Sequence, residues 1–136
     1  METNECYVYY AIDGDGFNPD EVTKAMGLEP TSTIRKGSKI PNEIPKFSCW
    51  KLSTGRVVQE IIDVETMALD VIRILHTKID TINSIKKRFN ATTRLQVVLW
   101  ISTDENQSTP AIGFGLEIMN FLVKTGAFID IDTYKH

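Results

Sequence analysis

The run from Arg94 to Ser102 constrains the fold of this chain most. It reads RLQVVLWIS, an almost unbroken series of β-branched, aromatic and long aliphatic residues. A short apolar run of this composition predicts a strand inside a sheet. Successive side chains of a strand point to opposite faces. Leu95, Val97, Leu99 and Ile101 therefore share one face, and Val98 and Trp100 share the other. Both faces of this strand are apolar, so each needs cover or a reason to stay open.

Residues 6–12, CYVYYAI, repeat the pattern. Cys6, Val8, Tyr10 and Ile12 fall on one face, leaving Tyr7 and Tyr9 on the other. Strands are also expected at 47–53, 110–114 and 128–132, where Phe128, Ile129 and Ile131 mix with Asp130 and Asp132. Helices are expected between them. Asn18 and Pro19 form a helix start, Val22, Ala25 and Met26 a buried stripe, and Gly27 a stop. Residues 63–79 carry Val64, Ala68, Val71, Ile72, Leu75 and Ile79 at helical spacing, and 82–89 continue with Ile82, Ile85 and Phe89. Leu116 to Lys124 is a further helix, closed by Gly126. Residues 28–46 form a long connection stiffened by Pro30, Pro41 and Pro45.

Strands alternating with helices favour one sheet with helices against it. The expected class is α+β. It has a single mixed, mainly antiparallel sheet of about five strands with helices packed on one face, ferredoxin-like or an elaboration of that arrangement. At 136 residues the chain is read as one domain, 1–136. This length buries roughly two-thirds of its unfolded surface, which needs no disulfide or metal. Cys6 and Cys49 both fall in strands and read as buried thiols of a reducing, cytoplasmic protein. No stretch approaches the ~20 apolar residues of a membrane span, and METNECYVYY lacks the basic start of a secretory signal.

The net charge of −3 conceals a gradient. Residues 1–30 hold seven acids and one base, and residues 31–60 hold six bases and two acids. An acidic total argues against nucleic acid as a partner, because phosphate backbones select basic surfaces.

Three separated segments carry a joint signature: FNPDEVTKAMGLEPTSTIRKG at 17–37, FSCWKLSTG at 47–55 and GAFIDIDTY at 126–134. In order and spacing they resemble the domain-of-unknown-function 4279 family, a group of uncharacterised, mostly bacterial proteins. The matching residues are Phe17, Asn18 and Pro19, then Gly27 to Thr31, then Arg35, Lys36 and Gly37. Ser48 and Trp50 fit the middle motif, and Gly126 with Asp130 to Tyr134 fits the last. The chain departs from the family at Ile34, where an aromatic is common, and lacks a His near the start of the long helix. The resemblance implies a domain spanning nearly the whole chain. It implies no established activity.

The residues themselves offer few reaction centres. Asp13-Gly14-Asp15-Gly16 begins like a calcium loop, but the sixth and twelfth positions hold Asn18 and Lys24 where an EF-hand needs Gly and Glu. A turn before a capped helix explains it. His76 and His136 form no metal pair, the serines lie in no nucleophile elbow, and neither cysteine has an activating pattern. No cofactor or metal is expected, and no catalytic residue is assigned. Asp130 and Asp132 share a face and read as the guard of an edge strand.

Two binding surfaces remain. Thr31, Arg35, Lys36 and Lys39 combine hydroxyl and cations in a form suited to a small anion, although the Gly-x4-Gly-Lys pattern of a nucleotide loop is missing. Tyr7, Tyr9, Val98 and Trp100 form an apolar patch on the sheet if helices cover only the opposite face. The leading expectation is a non-enzymatic protein-interaction module that uses this patch to meet a second copy or another protein. An immunity-type protein that neutralises a toxin is one form of it. The alternative is an anion-binding protein using residues 31–39, with an uncharacterised enzyme third.

Overall fold

In the computed structural model the described residues are 3–39 and 44–136, so Pro41 lies outside them. Ten elements follow in order. They are β1 (Glu5–Gly14), α1 (Pro19–Met26), β2 (Ser32–Ile34), β3 (Ser48–Val58), α2 (Val64–Leu75), a 3-10 turn (His76–Lys78), α3 (Ile79–Phe89), β4 (Thr92–Ile101), α4 (Leu116–Thr125) and β5 (Phe128–Lys135). The expected α+β class, with one mixed and mainly antiparallel five-stranded sheet, is what the chain adopts. The strand order is β2-β3-β1-β4-β5. β1 runs antiparallel to both β3 and β4, and only β4 and β5 run parallel. That parallel pair needs a crossover, which α4 supplies.

Helix ends follow the local chemistry. Asn18 accepts a hydrogen bond from the Asp20 amide at 3.0 Å, and Gly27 closes α1 at φ 66°, a left-handed conformation cheap only for glycine. Asp63 caps α2 by accepting from the Thr66 amide at 3.1 Å. The helix expected over 63–79 breaks at Leu75, and the chain turns through His76–Lys78 into α3.

All four helices lie against one face of the sheet. That face contributes Cys6, Val8, Tyr10, Ile12, Trp50, Leu52, Leu95, Val97 and Leu99 to a core shared with Val22, Met26, Ala68, Val71, Ile72, Leu75, Ile82, Ile118 and Leu122. Its buried polar atoms are paired. The Tyr10 hydroxyl donates to Thr125 Oγ1 at 2.9 Å, and Trp50 Nε1 donates to Thr23 Oγ1 at 3.0 Å. Buried Asn4 donates to the carbonyls of Glu60 and Ser108 and accepts from the Ser102 amide, which anchors the 102–115 loop beside β3. No strand forms over 110–114; the fifth strand is β2, inside the long connection.

Candidate functional site

Among the described residues no helix packs on the other face of the sheet. Register places Tyr7 and Tyr9 of β1, Val98 and Trp100 of β4, and Asp130, Asp132 and Tyr134 of β5 on it together. The rings form a continuous row across three strands. Tyr9 stacks on Tyr7 with centroids 6.0 Å apart, Tyr7 meets Trp100 at 5.8 Å, and Trp100 stacks on Tyr134 at 5.3 Å. Tyr7, Tyr9 and Trp100 are half-buried, whereas Tyr134 is exposed. Val98 stands opposite Tyr7 and is only 6% exposed, so it floors the row and does not present itself to a partner.

Cations lie over these rings. Arg56 stands 5.2 Å above Tyr7 and 5.1 Å from the centre of Trp100. Lys51 Nζ is 4.7 Å from the Tyr9 centre, and Arg94 approaches the same ring from β4 at 5.4 Å. The face is polarised. Lys51 and Arg56 belong to β3, while Asp130 and Asp132 lie on β5 at the opposite end. Arg56 pairs with Glu5 at 3.2 Å and Arg94 with Asp13 at 2.7 Å; Lys51 makes no ion pair among the described residues. Asp132 accepts from Gln96 Nε2 at 3.1 Å, and Gln96 in turn accepts from Arg94 at 2.6 Å. Burial works against the Arg94 charge, yet the hydrogen bond and charge of Asp13 hold its guanidinium above the usual value. Burial raises the Tyr9 hydroxyl, and Arg94 partly offsets this. A neutral Tyr9 ring beside a charged Arg94 guanidinium follows from these two shifts at neutral pH.

A β-bulge aims Arg56. Tyr9 pairs with Ser53 and Tyr7 with Arg56, so β3 has one more residue than β1 in this interval. Strict alternation would send Arg56 to the core side. The extra residue turns it outward and sends Val57 inward against the core. Gly55 makes this bulge with φ 114°, a region essentially closed to other residues. Between the bulge and β2 lies an open concavity of about 320 Å³, lined by Tyr7, Tyr9, Thr31, Ser32, Lys51 and Arg56 among others.

Of the four loop residues expected to hold an anion, Thr31 precedes β2 and the three cations follow it. Thr31 borders this concavity, and its hydroxyl donates to the Ser53 carbonyl at 3.0 Å. Arg35, Lys36 and Lys39 lie beyond the other end of β2, and Lys36 is tied to Asp15 at 3.2 Å. Asp130 and Asp132 do share a face, but His76 lies in the helical layer behind the sheet, with its Nδ1 at 2.7 Å from the Arg73 carbonyl oxygen. No cluster of three or more metal-ligating side chains occurs among the described residues. Cys6 and Cys49 are free and buried. Lys51 and Ser53 were legible from strand alternation beside Trp50 and Leu52; Arg56 was hidden by the bulge, and Tyr134 by its distant neighbour Trp100.

An α+β protein with one sheet face left open and paved with stacked rings is the class these features define. The chain matches the family described as domain of unknown function (DUF4279) over residues 4–136 and belongs to it. No curated protein and no solved structure matches it. No helix among the described residues is long and apolar enough to cross a membrane.

Proposed function

We propose that this protein is a non-enzymatic interaction module whose open sheet face docks a protein partner. The observation that carries this reading is the row Tyr9–Tyr7–Trp100–Tyr134 with Lys51 and Arg56 over its rings. Aromatic and arginine side chains clustered on a rigid surface supply most of the energy at protein interfaces. The sheet fixes them in place, so little ordering cost attends docking. The partner surface that fits is apolar at its centre and presents an acidic side chain to Lys51, which lies over the Tyr9 ring and makes no ion pair among the described residues. An immunity-type protein, which blocks a toxin by covering it, is one role for such a face. Two buried thiols suit residence in a reducing cytoplasm.

A second reading is favoured by the concavity beside Gly55. Its rings and the nearby Lys51 and Arg56 suit a small planar anion better than the 31–39 turn does. Two measurements on the same variants separate the readings. Wild-type protein and the variants Lys51→Glu and Trp100→Glu are used to capture partners from the host. A protein retained by wild type and lost by both variants supports the docking face. A protein held equally by all three contradicts it. Heat of binding from benzoate or inorganic phosphate, abolished by Lys51→Glu but kept in Trp100→Glu, favours the small-anion reading.

A further inference from the structure

Charge divides the open face in two. β3, β1, β4 and β5 each give it alternate residues, and the pairing of the strands sets these in rows across the sheet. At the β3 end four successive rows begin with Val58, Arg56, Ser53 and Lys51. At the β5 end the same rows finish with Tyr134, Asp132, Asp130 and Phe128. The two cations thus stand on one side and the two acids on the other. Apolar surface is left bare at both ends, with Val58 56% exposed, Phe128 54% and Tyr134 49%. Shape is divided in the same way. The concavity of about 320 Å³ lies against β3, between Ser53, Lys51 and Arg56, whereas every residue of β5 is exposed.

Resting on the reading of the open face as a docking surface, we infer that its partner is a second copy of this chain, bound face to face with β5 of each copy over β3 of the other. Opposite charges at the two ends of one face are their own complement once that face is turned over. A two-fold axis parallel to the strands, midway between β1 and β4, turns it in this way. The axis exchanges the β3 and β5 ends and leaves every residue at its own height along the strands. Each row therefore meets itself reversed. Arg56 meets Asp132 of the mate, and Val58 meets its Tyr134. Lys51 meets the mate's Phe128, with its Asp130 one row away. The Phe128 ring gains a cation, and Val58 leaves water together with Tyr134. An axis across the strands does the opposite. It sets the acids of one copy over those of the other, and cations over cations.

The match tolerates the twist of real sheets. Packed sheets cross at about 30°, which shifts contacts about 7 Å from the axis by roughly 4 Å, less than the ~7 Å between rows. Four strands about 4.8 Å apart and four such rows cover roughly 19 by 27 Å. Two faces of this size remove on the order of 1,000 Å² from water, the lower bound for a specific contact. A dimer of modest affinity follows, aligned by its charges and weakened by salt. The helices of both copies face outward, so the contact leaves the core as it is.

The test is mass in solution by light scattering, from about 1 to about 200 µM protein. Wild type is expected to rise toward twice 15.4 kDa. It should need at least about tenfold more protein to do so in ~0.5 M salt than in ~0.05 M. Two variants each reverse one side. Lys51→Glu/Arg56→Glu makes both ends acidic, and Asp130→Lys/Asp132→Lys makes both basic. Each alone is expected at the single-chain mass, with a thermal melt showing that it folds. Mixed in equal amounts they match along both seams, and the double mass is expected to return. A wild type of single-chain mass throughout overturns the inference, whatever the variants do. So does a dimer kept by either variant alone, or a mixture of folded variants that stays at the single-chain mass. A single-chain wild type that still captures a host protein, lost with Lys51→Glu, overturns the second copy and keeps the docking role. One that captures nothing removes both.

Discussion

Arg56 stands opposite Tyr7 although it is three residues from Ser53, which stands opposite Tyr9. One residue beyond strict alternation turns the guanidinium outward over the rings, and Gly55 at φ 114° makes room for it. Nothing lies within 4 Å of a Cβ built on Gly55, so a side chain there costs backbone strain alone. Gly55→Ala is expected to lose about 1–3 kcal/mol of stability in urea denaturation. A neutral result would mean that the bulge relaxes freely and does not hold Arg56 in place.

The Arg94–Asp13 pair should matter far more than its counterparts on the helices. Its side chains are mostly buried, with 2.7 Å between Nε and Oδ2, and Arg94 also holds Gln96. Removing Arg94 leaves a carboxylate with little access to water. Arg94→Met is expected to cost about 2 kcal/mol, from the loss of charged hydrogen bonds. Arg88, which bonds Glu21 in the open at 3.1 Å, is expected to cost below about 1 kcal/mol as Arg88→Met. Equal losses in the two variants would remove any special place for the network on the open face.

Stability should fall on the alkaline side through the thiols. Burial pushes Cys6 up to about 11; burial, then the hydrogen bond and charge of Asp13, push Cys49 up to about 12. Both start from 9.0 when exposed. The folded chain thus keeps these protons after the unfolded chain has released them. Their contribution is complete below pH 9 and fades as pH climbs toward 11 and 12. Burial also raises the hydroxyls of Tyr9 and Tyr10, with the same sign. Urea midpoints measured from pH 8 to 11 are expected to decline, and to decline less in Cys49→Ala. An identical slope in that variant would exclude Cys49 as a source. Thiol labelling at pH 8 should likewise wait on unfolding.

Asp63 predicts an effect at the acid end. The hydrogen bonds from the Thr66 amide and hydroxyl hold its carboxylate below the usual value. Its contribution is present above the ordinary carboxylate range and disappears as pH drops through the lowered one. Asp63→Ala should destabilise the fold at pH 7 and make less difference at pH 2–3, as read from helix content by circular dichroism. A loss of the same size at both pH values would show that the cap acts without its charge.

Much of the sheet was visible in the residues alone. CYVYYAI and LQVVLWI alternate cleanly, so the split between core and open face followed from strand geometry. Asn18, Pro19 and Gly27 marked α1 because their effects are local. Features that depend on a distant neighbour were not visible. β2 is three residues whose pairing is set by β3, while Pro110 to Phe114 looked like a strand and has no neighbour to bond. Lys36 read as free until Asp15 folded beside it. Val98 read as exposed because alternation gives a side chain its face but not what leans over it. Tyr134 became part of the ring row only when the parallel pairing of β5 set it beside Trp100.

The docking role of the open face is tested most directly by photo-crosslinking in the native host, with Tyr7 replaced by the aromatic crosslinker p-benzoylphenylalanine. The same probe at Asp70, on the helical side, serves as the control. The account predicts a discrete adduct to one partner protein from position 7, absent from position 70 and lost when Lys51→Glu is added. Adducts of equal yield from both positions, or from position 70 alone, would contradict it.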